Sequence, residues 1–153
     1  GTDGRGSQNL IVRNGALRNR FNPEAADSTD EQGNVRNENN MFMDGTEIFN
    51  FTIDAVPKLF REVLEKNNCT LDTVDYVIFH QANKFMIDYL RKMLKIPPEK
   101  FYTNLLHTGN TVSSTIPLAL RDCLDRNIVR AGSRVLLLGF GVGYSWGGTI
   151  IQL

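Results

Sequence analysis

The sequence predicts an α/β fold, in which a mostly parallel sheet of five strands carries helices on its faces. Short runs rich in β-branched and aromatic residues alternate along the chain with longer segments of helical period. Strands that alternate with helices are typical of a parallel sheet. A Gly-rich segment then joins the last two apolar runs directly, which predicts an antiparallel pair of strands at the carboxyl end.

The first 44 residues contain little that could form a core. Residues 10–12, "LIV", predict a short edge strand, and residues 18–40 are polar, as in a surface excursion or linker. The chain opens on turn residues, "GTDGRGSQ", without a methionine, as though it continued a structure already begun. We therefore predict two parts: residues 1–44, which end a preceding half and form the linker, and a folded domain at 45–153.

The folded domain contains three predicted helices. Apolar residues spaced mostly three and four apart predict a long buried helix that begins near residue 45, is kinked at Pro57 and ends at Asn67-Asn68. The other two helices are predicted at residues 83–94 and 111–127. The five strands are predicted at residues 10–12, 74–79, 101–106, 134–138 and 149–153.

Composition excludes several classes of protein. Of 153 residues, 41% are hydrophobic and 22% charged, which suits a soluble domain with a real core. Basic and acidic residues number 17 each, so no charge excess points to nucleic acid or a membrane surface. No apolar run approaches the ~18 residues of a membrane span. Two distant cysteines without a CxxC pair favour reduced thiols in a cytoplasm, and the Cys and His spacing predicts no metal site.

Polar segments follow three of the predicted strands. They are "HQAN" at 80–83, "HTGNT" at 107–111 and "GFGVG" at 139–143. Sites in open α/β sheets collect at the carboxyl ends of strands, so parallel strands would bring these segments to one edge. This convergence predicts a functional site there.

The residue types at that edge suit the stabilisation of negative charge on oxygen. A neutral His80 can donate one N–H and the Asn110 amide can donate two, as in an oxyanion hole. Glycines in the 139–143 turn allow backbone N–H groups to approach a ligand. Taken singly, His80 could instead be a strand-end histidine bonded to a carbonyl, and Asn110 and the glycines could be ordinary turn residues.

A nucleophile is missing from the predicted edge. Cys69 precedes a strand at a surface turn and Cys123 lies within a helix, so we predict that both are structural. His107 is also predicted to be structural.

The segments together resemble a known family. "HQAN" after an apolar strand, "GNTVSSTIPLAL" and the terminal "GFGVGYSWGG" resemble β-ketoacyl-acyl carrier protein synthase III, the initiating condensing enzyme of fatty-acid synthesis, which has the thiolase fold. "MDGTEIFNFTI" resembles the start of its carboxy-terminal half, and "GTDGRG" the link out of the amino-terminal half. The resemblance covers roughly residues 41–153 and implies a thiolase-like half.

The resemblance implies a Cys-His-Asn triad. His80 and Asn110 match its last two members, and the Cys belongs to the amino-terminal half. An acyl group from acetyl-CoA is loaded on that Cys, malonyl-acyl carrier protein loses CO2, and the resulting enolate attacks the thioester. His80 and Asn110 would bind the malonyl thioester oxygen. The implied reaction needs no cofactor, and these 153 residues alone would not condense.

Further positions are implied by the same resemblance. The backbone N–H near Val142 would complete an oxyanion hole. The pantetheine channel would be lined by Gly45, Ala82, Asn83 and Phe140. An acidic carrier protein would contact Gln81, Ala82, Asn83, Lys84, Phe85, Arg91 and Lys92, with Lys95 nearby, although such charges could equally be a solvated helix face. The other implied partners are the amino-terminal half and a second copy, in a homodimer.

Two departures from the family pattern concern the primer and the partner. Val142 stands in Gly141-Val142-Gly143 where the family usually has three glycines, and its side chain is expected to narrow or redirect the acyl pocket. Phe85 stands where an Arg is usual, so the basic contact has either moved to Lys84 or weakened.

Two alternative functions stay open. A thiolase-fold synthase of secondary metabolism, of quinolone or polyketide type, would use the same triad. A non-catalytic thiolase-fold partner subunit would not need it, and the presence of both His80 and Asn110 argues against that reading.

Overall fold

The structure, a computed structural model, describes all 153 residues as eight strands and four α-helices. In chain order these are β1 Leu10–Val12, β2 Ser28–Thr29, β3 Val35–Arg36, β4 Met41–Met43, α1 Gly45–Lys66, β5 Tyr76–Phe79, α2 Lys84–Met93, β6 Phe101–Tyr102, α3 Leu105–Thr108, α4 Thr115–Asp125, β7 Arg134–Gly141 and β8 Ser145–Gln152.

The main sheet has four strands in the order β6–β5–β7–β8. β5 runs parallel to both neighbours, with Val77 opposite Phe101 on β6 and Leu136 on β7. β8 returns antiparallel along the whole length of β7. The predicted α/β class and the antiparallel pair at the carboxyl end are therefore confirmed.

The predicted count of five strands in this sheet is wrong. β1, expected at its edge, instead pairs with β4 in a separate two-stranded antiparallel sheet, and β2 pairs with β3 in another. The pairing of β1 with β4 thus brings together the two ends of the segment that contains the polar residues 18–40. A run of three apolar residues indicates a strand without indicating its partner, because pairing depends on contacts distant in sequence.

Two other predicted boundaries are also corrected. The strand expected at 101–106 stops at Tyr102, and α3 occupies Leu105–Thr108. The Gly-rich segment is mostly strand, since β7 continues through Gly141 and β8 begins at Ser145. Glycine suggested a turn, but a Cβ at Gly148 would lie 2.3 Å from Leu138 Cδ2 and 3.0 Å from Val63 Cγ2. Glycine there marks the close approach of α1 to the sheet.

Helices cover both faces of the sheet. Side chains alternate along β5, so Val77 and Phe79 join the larger core with α1 and α2, while Ile78 joins the smaller core beside α4. β7 alternates likewise, with Leu136 in the first core and Val135 in the second. Burial on both faces explains why these strands are apolar at almost every position.

The long helix α1 forms over the predicted residues, and the kink expected at Pro57 stays a prediction. Asp44 caps its start by accepting a hydrogen bond from the Glu47 backbone N–H at 3.0 Å, and Asn67 ends it. The helix continues through the buried Pro57. No helix of the chain combines the length and apolar character needed to cross a membrane.

We predict that Gly148→Ala lowers the free energy of unfolding by about 1–3 kcal/mol, because the added methyl group overpacks the contact between α1 and the sheet. The matched control is Gly147→Ala on the same strand, where a Cβ meets nothing within 4 Å. It should change stability by no more than about 0.5 kcal/mol. Urea denaturation measures both, and equal effects of the two substitutions would contradict the prediction.

Candidate active site

The three polar segments meet around His80, as the sequence predicted. His80 follows β5, and its backbone N–H donates to the Leu138 carbonyl of β7 at 2.8 Å. The Asn110 side chain reaches the same place by donating from Nδ2 to the Ala82 carbonyl at 3.2 Å. The ring of Phe140, on β7, lies edge-on to the His80 ring with 5.6 Å between centroids. The route to Asn110 differs from the prediction, because α3 separates it from β6.

The His80 side chain is half-buried, and one of its two ring nitrogens has a hydrogen-bonding partner. Its Nδ1 lies 2.7 Å from the hydroxyl oxygen of Thr115, the wholly buried first residue of α4. Burial lowers the pKa of His80 below its usual 6.5, and the nearby Val112 carbonyl opposes this in part. The imidazole is therefore neutral at pH 7 and carries one N–H, on one of its two nitrogens.

The Asn110 amide is held at both ends. Nδ2 donates to the Ala82 carbonyl, and Oδ1 accepts from the Val112 backbone N–H at 2.9 Å. One N–H of the amide remains for a ligand. Asn110 is exposed, so that donor faces open space.

Val112 has a strained backbone at this site. Its φ of 57° lies in the left-handed region, which β-branched residues rarely adopt. The Asn110 side chain accepts its N–H, and Thr115 donates to its carbonyl from the backbone N–H. Surrounding bonds thus hold a conformation that costs of order 1–3 kcal/mol, a pattern that is concentrated at functional sites.

Comparison with known proteins identifies the family. Residues 64–153 match the family model described as 3-oxoacyl-[acyl-carrier-protein (ACP)] synthase III C terminal. The chain belongs to this synthase III family. The β-ketoacyl-[acyl-carrier-protein] synthase III of Clostridium novyi is 40% identical over 114 residues, which cover 74% of this chain and 35% of that protein. The Clostridium perfringens enzyme of the same name is 36% identical over 152 residues, covering 99% of this chain and 44% of that protein.

Solved structures support the thiolase-like fold of the synthase III family. A 3-oxoacyl-(acyl-carrier-protein) synthase III superposes over the whole of this chain with a TM-score of 0.94 and 43% identity, and the match covers 46% of that protein. The enzymes from Burkholderia xenovorans and Thermus thermophilus give TM-scores of 0.86 and 0.81 at 37% and 31% identity, over 42% and 44% of their lengths. The chain spans less than half the length of the curated relatives it matches.

Three of the residues expected to line a synthase III pantetheine channel have identifiable places in the fold. The Asn83 side chain caps α2 by accepting from the Met86 backbone N–H at 2.9 Å. Ala82 links the site through its backbone, donating to the His80 carbonyl at 2.9 Å and accepting from Asn110. Gly45 is the exposed first residue of α1. Their place in a channel, with that of Phe140, stays a prediction.

Val142, the expected backbone donor of the oxyanion hole, lies in the exposed turn between β7 and β8. Its carbonyl accepts a hydrogen bond from the Ser145 hydroxyl at 3.1 Å. That its N–H donates to a ligand stays a prediction.

Gln81 must be removed from the predicted carrier-protein surface. Its side chain is fully buried, where Nε2 donates to the Phe79 carbonyl at 2.6 Å and Oε1 accepts from the Asn104 backbone N–H at 3.3 Å. Gln81 therefore ties the end of β5 to the segment after β6, and a partner could not reach its side chain.

Ala82 and Asn83 precede α2, and the other predicted contact residues lie on it with different charge partners. Lys84 is paired with Asp88, Nζ to Oδ2 at 2.6 Å, and the half-buried Arg91 donates to the Ile96 carbonyl at 3.0 Å. The Lys92 side chain is exposed and forms no hydrogen bond or ion pair. Phe85 is 71% exposed, with its ring 5.8 Å from that of Phe49 on α1.

Thr115 is the site residue that sequence reasoning missed. The Ser/Thr residues of "TVSST" predict only the polar start of a helix. Thr115 lies one residue inside α4 and is fully buried. The start of α4 at Thr115 is known only from the structure, since the helix was predicted to begin at residue 111, so no signal in the sequence singled out this hydroxyl.

Both cysteines have structural positions, as predicted. Cys123 is buried in the smaller core, and burial raises the pKa of its thiol to about 12. It lies eight residues along α4 from Thr115, about 12 Å at the helical rise. Cys69 is half-buried, with its thiol 3.4 Å from the Asn67 carbonyl. Because the thiolate is the reactive form, Cys123 is an inert thiol.

We predict that His80 titrates below pH 6.5 in the folded chain. The chain has two histidines, so His107→Gln leaves one imidazole, whose midpoint an NMR titration of its ring protons reports directly. As pH falls below 6.5, the unfolded state takes up this proton before the folded state does, so stability should fall. Denaturant unfolding of His107→Gln should show this loss, and the double variant with His80→Gln should lack it. A midpoint above 6.5 would contradict the prediction.

Proposed function

We propose that this chain supplies the His-Asn pair of a 3-oxoacyl-[acyl carrier protein] synthase III, which condenses malonyl-acyl carrier protein with an acyl-CoA primer in the initiation of fatty-acid synthesis. The observation that carries the proposal is the meeting of a neutral imidazole and a fixed amide at one edge of the sheet. Membership of the synthase III family supports the reaction class.

The pair would act on the malonyl thioester. The bond between its Cα and the carboxylate breaks, CO2 leaves, and the electron pair passes into an enolate whose negative oxygen was the thioester carbonyl. The N–H groups of His80 and Asn110 would donate to that oxygen. Donors already aimed at a developing oxyanion are each worth about 2.7–4 kcal/mol, because they need no reorganisation during the reaction.

The second part of the reaction needs a nucleophile from outside these residues. The enolate Cα attacks the carbonyl of an acyl group held as a thioester on a cysteine, and the cysteine thiolate leaves. Cys123 is too deeply buried for this role. The relatives are more than twice as long as this chain, so we assign the nucleophile to an amino-terminal half, with which the chain would act in a cytoplasmic homodimer without a cofactor.

The exposed side of α2 would receive the acidic carrier protein. Lys84, Phe85 and Lys92 are exposed there, beside the loop that carries His80. Because Lys84 is paired with Asp88, Lys92 offers the less compensated charge. Charge at the edge of such an interface mainly raises the rate of encounter.

Val142 bears on which acyl-CoA primer the enzyme would accept. Its side chain is 46% exposed in the β7–β8 turn, where the family usually has glycine. A screen of acyl-CoA primers with both halves present separates fatty-acid initiation from a synthase of secondary metabolism. Preference for acetyl-CoA or another short acyl-CoA supports the proposal, and preference for an aromatic or polyketide primer opposes it.

We predict that His80→Ala and Asn110→Ala, made with both halves present, each lower malonyl decarboxylation by about 10²–10³-fold, since each removes one donor to the enolate oxygen. Loading of radiolabelled acetyl groups from acetyl-CoA onto the nucleophile should continue. His107→Ala is the matched control, because this exposed histidine lies on α3 outside the site.

Loss of loading with decarboxylation retained would show that the roles are wrongly assigned. Condensing turnover by the 153 residues alone would refute the assignment of the nucleophile to another half.

We predict that Lys92→Glu raises the KM for the carrier substrate about fivefold at low salt, since a charge pair at a rim is worth up to about 1 kcal/mol. The effect should shrink as salt screens it. Lys84→Glu should act in the same direction but less, because Asp88 already offsets Lys84. The control is Lys58→Glu, which carries the same kind of pair, with Asp54, on α1. An unchanged KM for Lys92→Glu would refute docking on this face.

A further inference from the structure

The hydroxyl of Thr115 lies between two hydrogen-bonding partners in a closed site. Its oxygen is 2.7 Å from His80 Nδ1 and 3.0 Å from the Val112 carbonyl oxygen. Thr115 has no exposed surface, so water does not compete for the group. A hydroxyl has one proton and can donate it to only one of these partners.

The two choices give His80 opposite properties toward a ligand. If the hydroxyl donates to Nδ1, the neutral imidazole carries its proton on Nε2 and offers an N–H on its other side. If the hydroxyl donates to Val112, Nδ1 must carry the proton and donate to the hydroxyl oxygen. Nε2 is then bare and can only accept.

Two observations favour donation to His80. The Val112 carbonyl already accepts the backbone N–H of Thr115, so it is satisfied without the hydroxyl. The contact to Nδ1 is also the shorter of the two, as expected where the hydroxyl proton lies.

We propose that Thr115 is a positioning residue whose hydroxyl donates to Nδ1 and thereby holds His80 as the tautomer protonated on Nε2. With the hydroxyl proton directed at Nδ1, that nitrogen has no place for a proton of its own. The consequence for catalysis rests on the proposed function, because a donor on Nε2 is what an enolate oxygen requires. The tautomer itself does not depend on it.

The first test is ¹⁵N NMR of the chain with labelled histidine, in a His107→Gln background and above pH 7.5, where His80 is neutral. We expect the wild-type residue at 115 to give the Nε2–H form. Thr115→Val keeps the shape but removes the donor, so it should raise the population of the Nδ1–H form. Thr115→Ser keeps the hydroxyl and should restore Nε2–H.

The matched control is Thr52→Val on α1. Thr52 is also buried, and its hydroxyl donates to the Ile48 carbonyl at 2.7 Å, but it has no contact with His80. This substitution should leave the tautomer unchanged. Observation of Nδ1–H with threonine at 115 would overturn the proposal without any variant, as would an unchanged tautomer in a folded Thr115→Val chain.

The second test measures malonyl decarboxylation with both halves present. Thr115→Val should lower kcat by about 10²–10³-fold, the loss of one oxyanion donor, with KM little changed. Thr115→Ser and Thr52→Val should keep kcat close to that of the unsubstituted protein. A folded Thr115→Val protein with unreduced kcat would overturn the positioning role. If the unsubstituted protein itself does not decarboxylate malonyl thioesters, the proposed function fails, and the NMR result alone decides the proposal about Thr115.

Discussion

The parallel pairing of β5 with β7 is the contact on which the rest of the site depends. Four residues of β5 face Val135 to Leu138 of β7, and the hydrogen bond from His80 to Leu138 extends this pairing one residue beyond the strand. Both strands are buried on both faces, so neither can shift its register without moving a core side chain into the wrong layer. The packing of the apolar core therefore fixes the position of His80.

The polar residues around His80 are held mainly by backbone groups. Asn110 binds Ala82 and Val112 through their backbones, and Gln81 does the same with Phe79 and Asn104. This arrangement fixes the positions of the donors through groups that the main chain carries at these positions whatever the side chain. It also explains how Val112 can remain in a left-handed conformation, since its N–H and its carbonyl both have partners.

Much of the fold and half of the site could be predicted because their signals are local. Apolar patterns located α1, α2 and α4 and at least part of β1, β5, β6, β7 and β8, but not the short strands β2, β3 and β4. Residue types in the polar segments after the predicted strands located His80 and Asn110. Two of the errors have a common cause, because the partner of β1 and the burial of Gln81 each depend on a segment remote in sequence. Periodicity within a segment carries no information about such contacts. The strand content of the Gly-rich segment was missed for another reason, since its strands pair with each other locally but glycine favours a turn.

By itself, the sequence determined the α/β class, the family resemblance and the meeting of three polar segments at one edge, because the alternation of short apolar runs with helical segments indicates parallel strands. Only the tertiary structure decided which side of the His80 ring faces Thr115, 35 positions away, and which polar residues are hidden. A histidine offers two nitrogens, and the sequence is the same whichever one holds the proton. The tautomer is set by the Thr115 hydroxyl, which the folded chain places beside Nδ1.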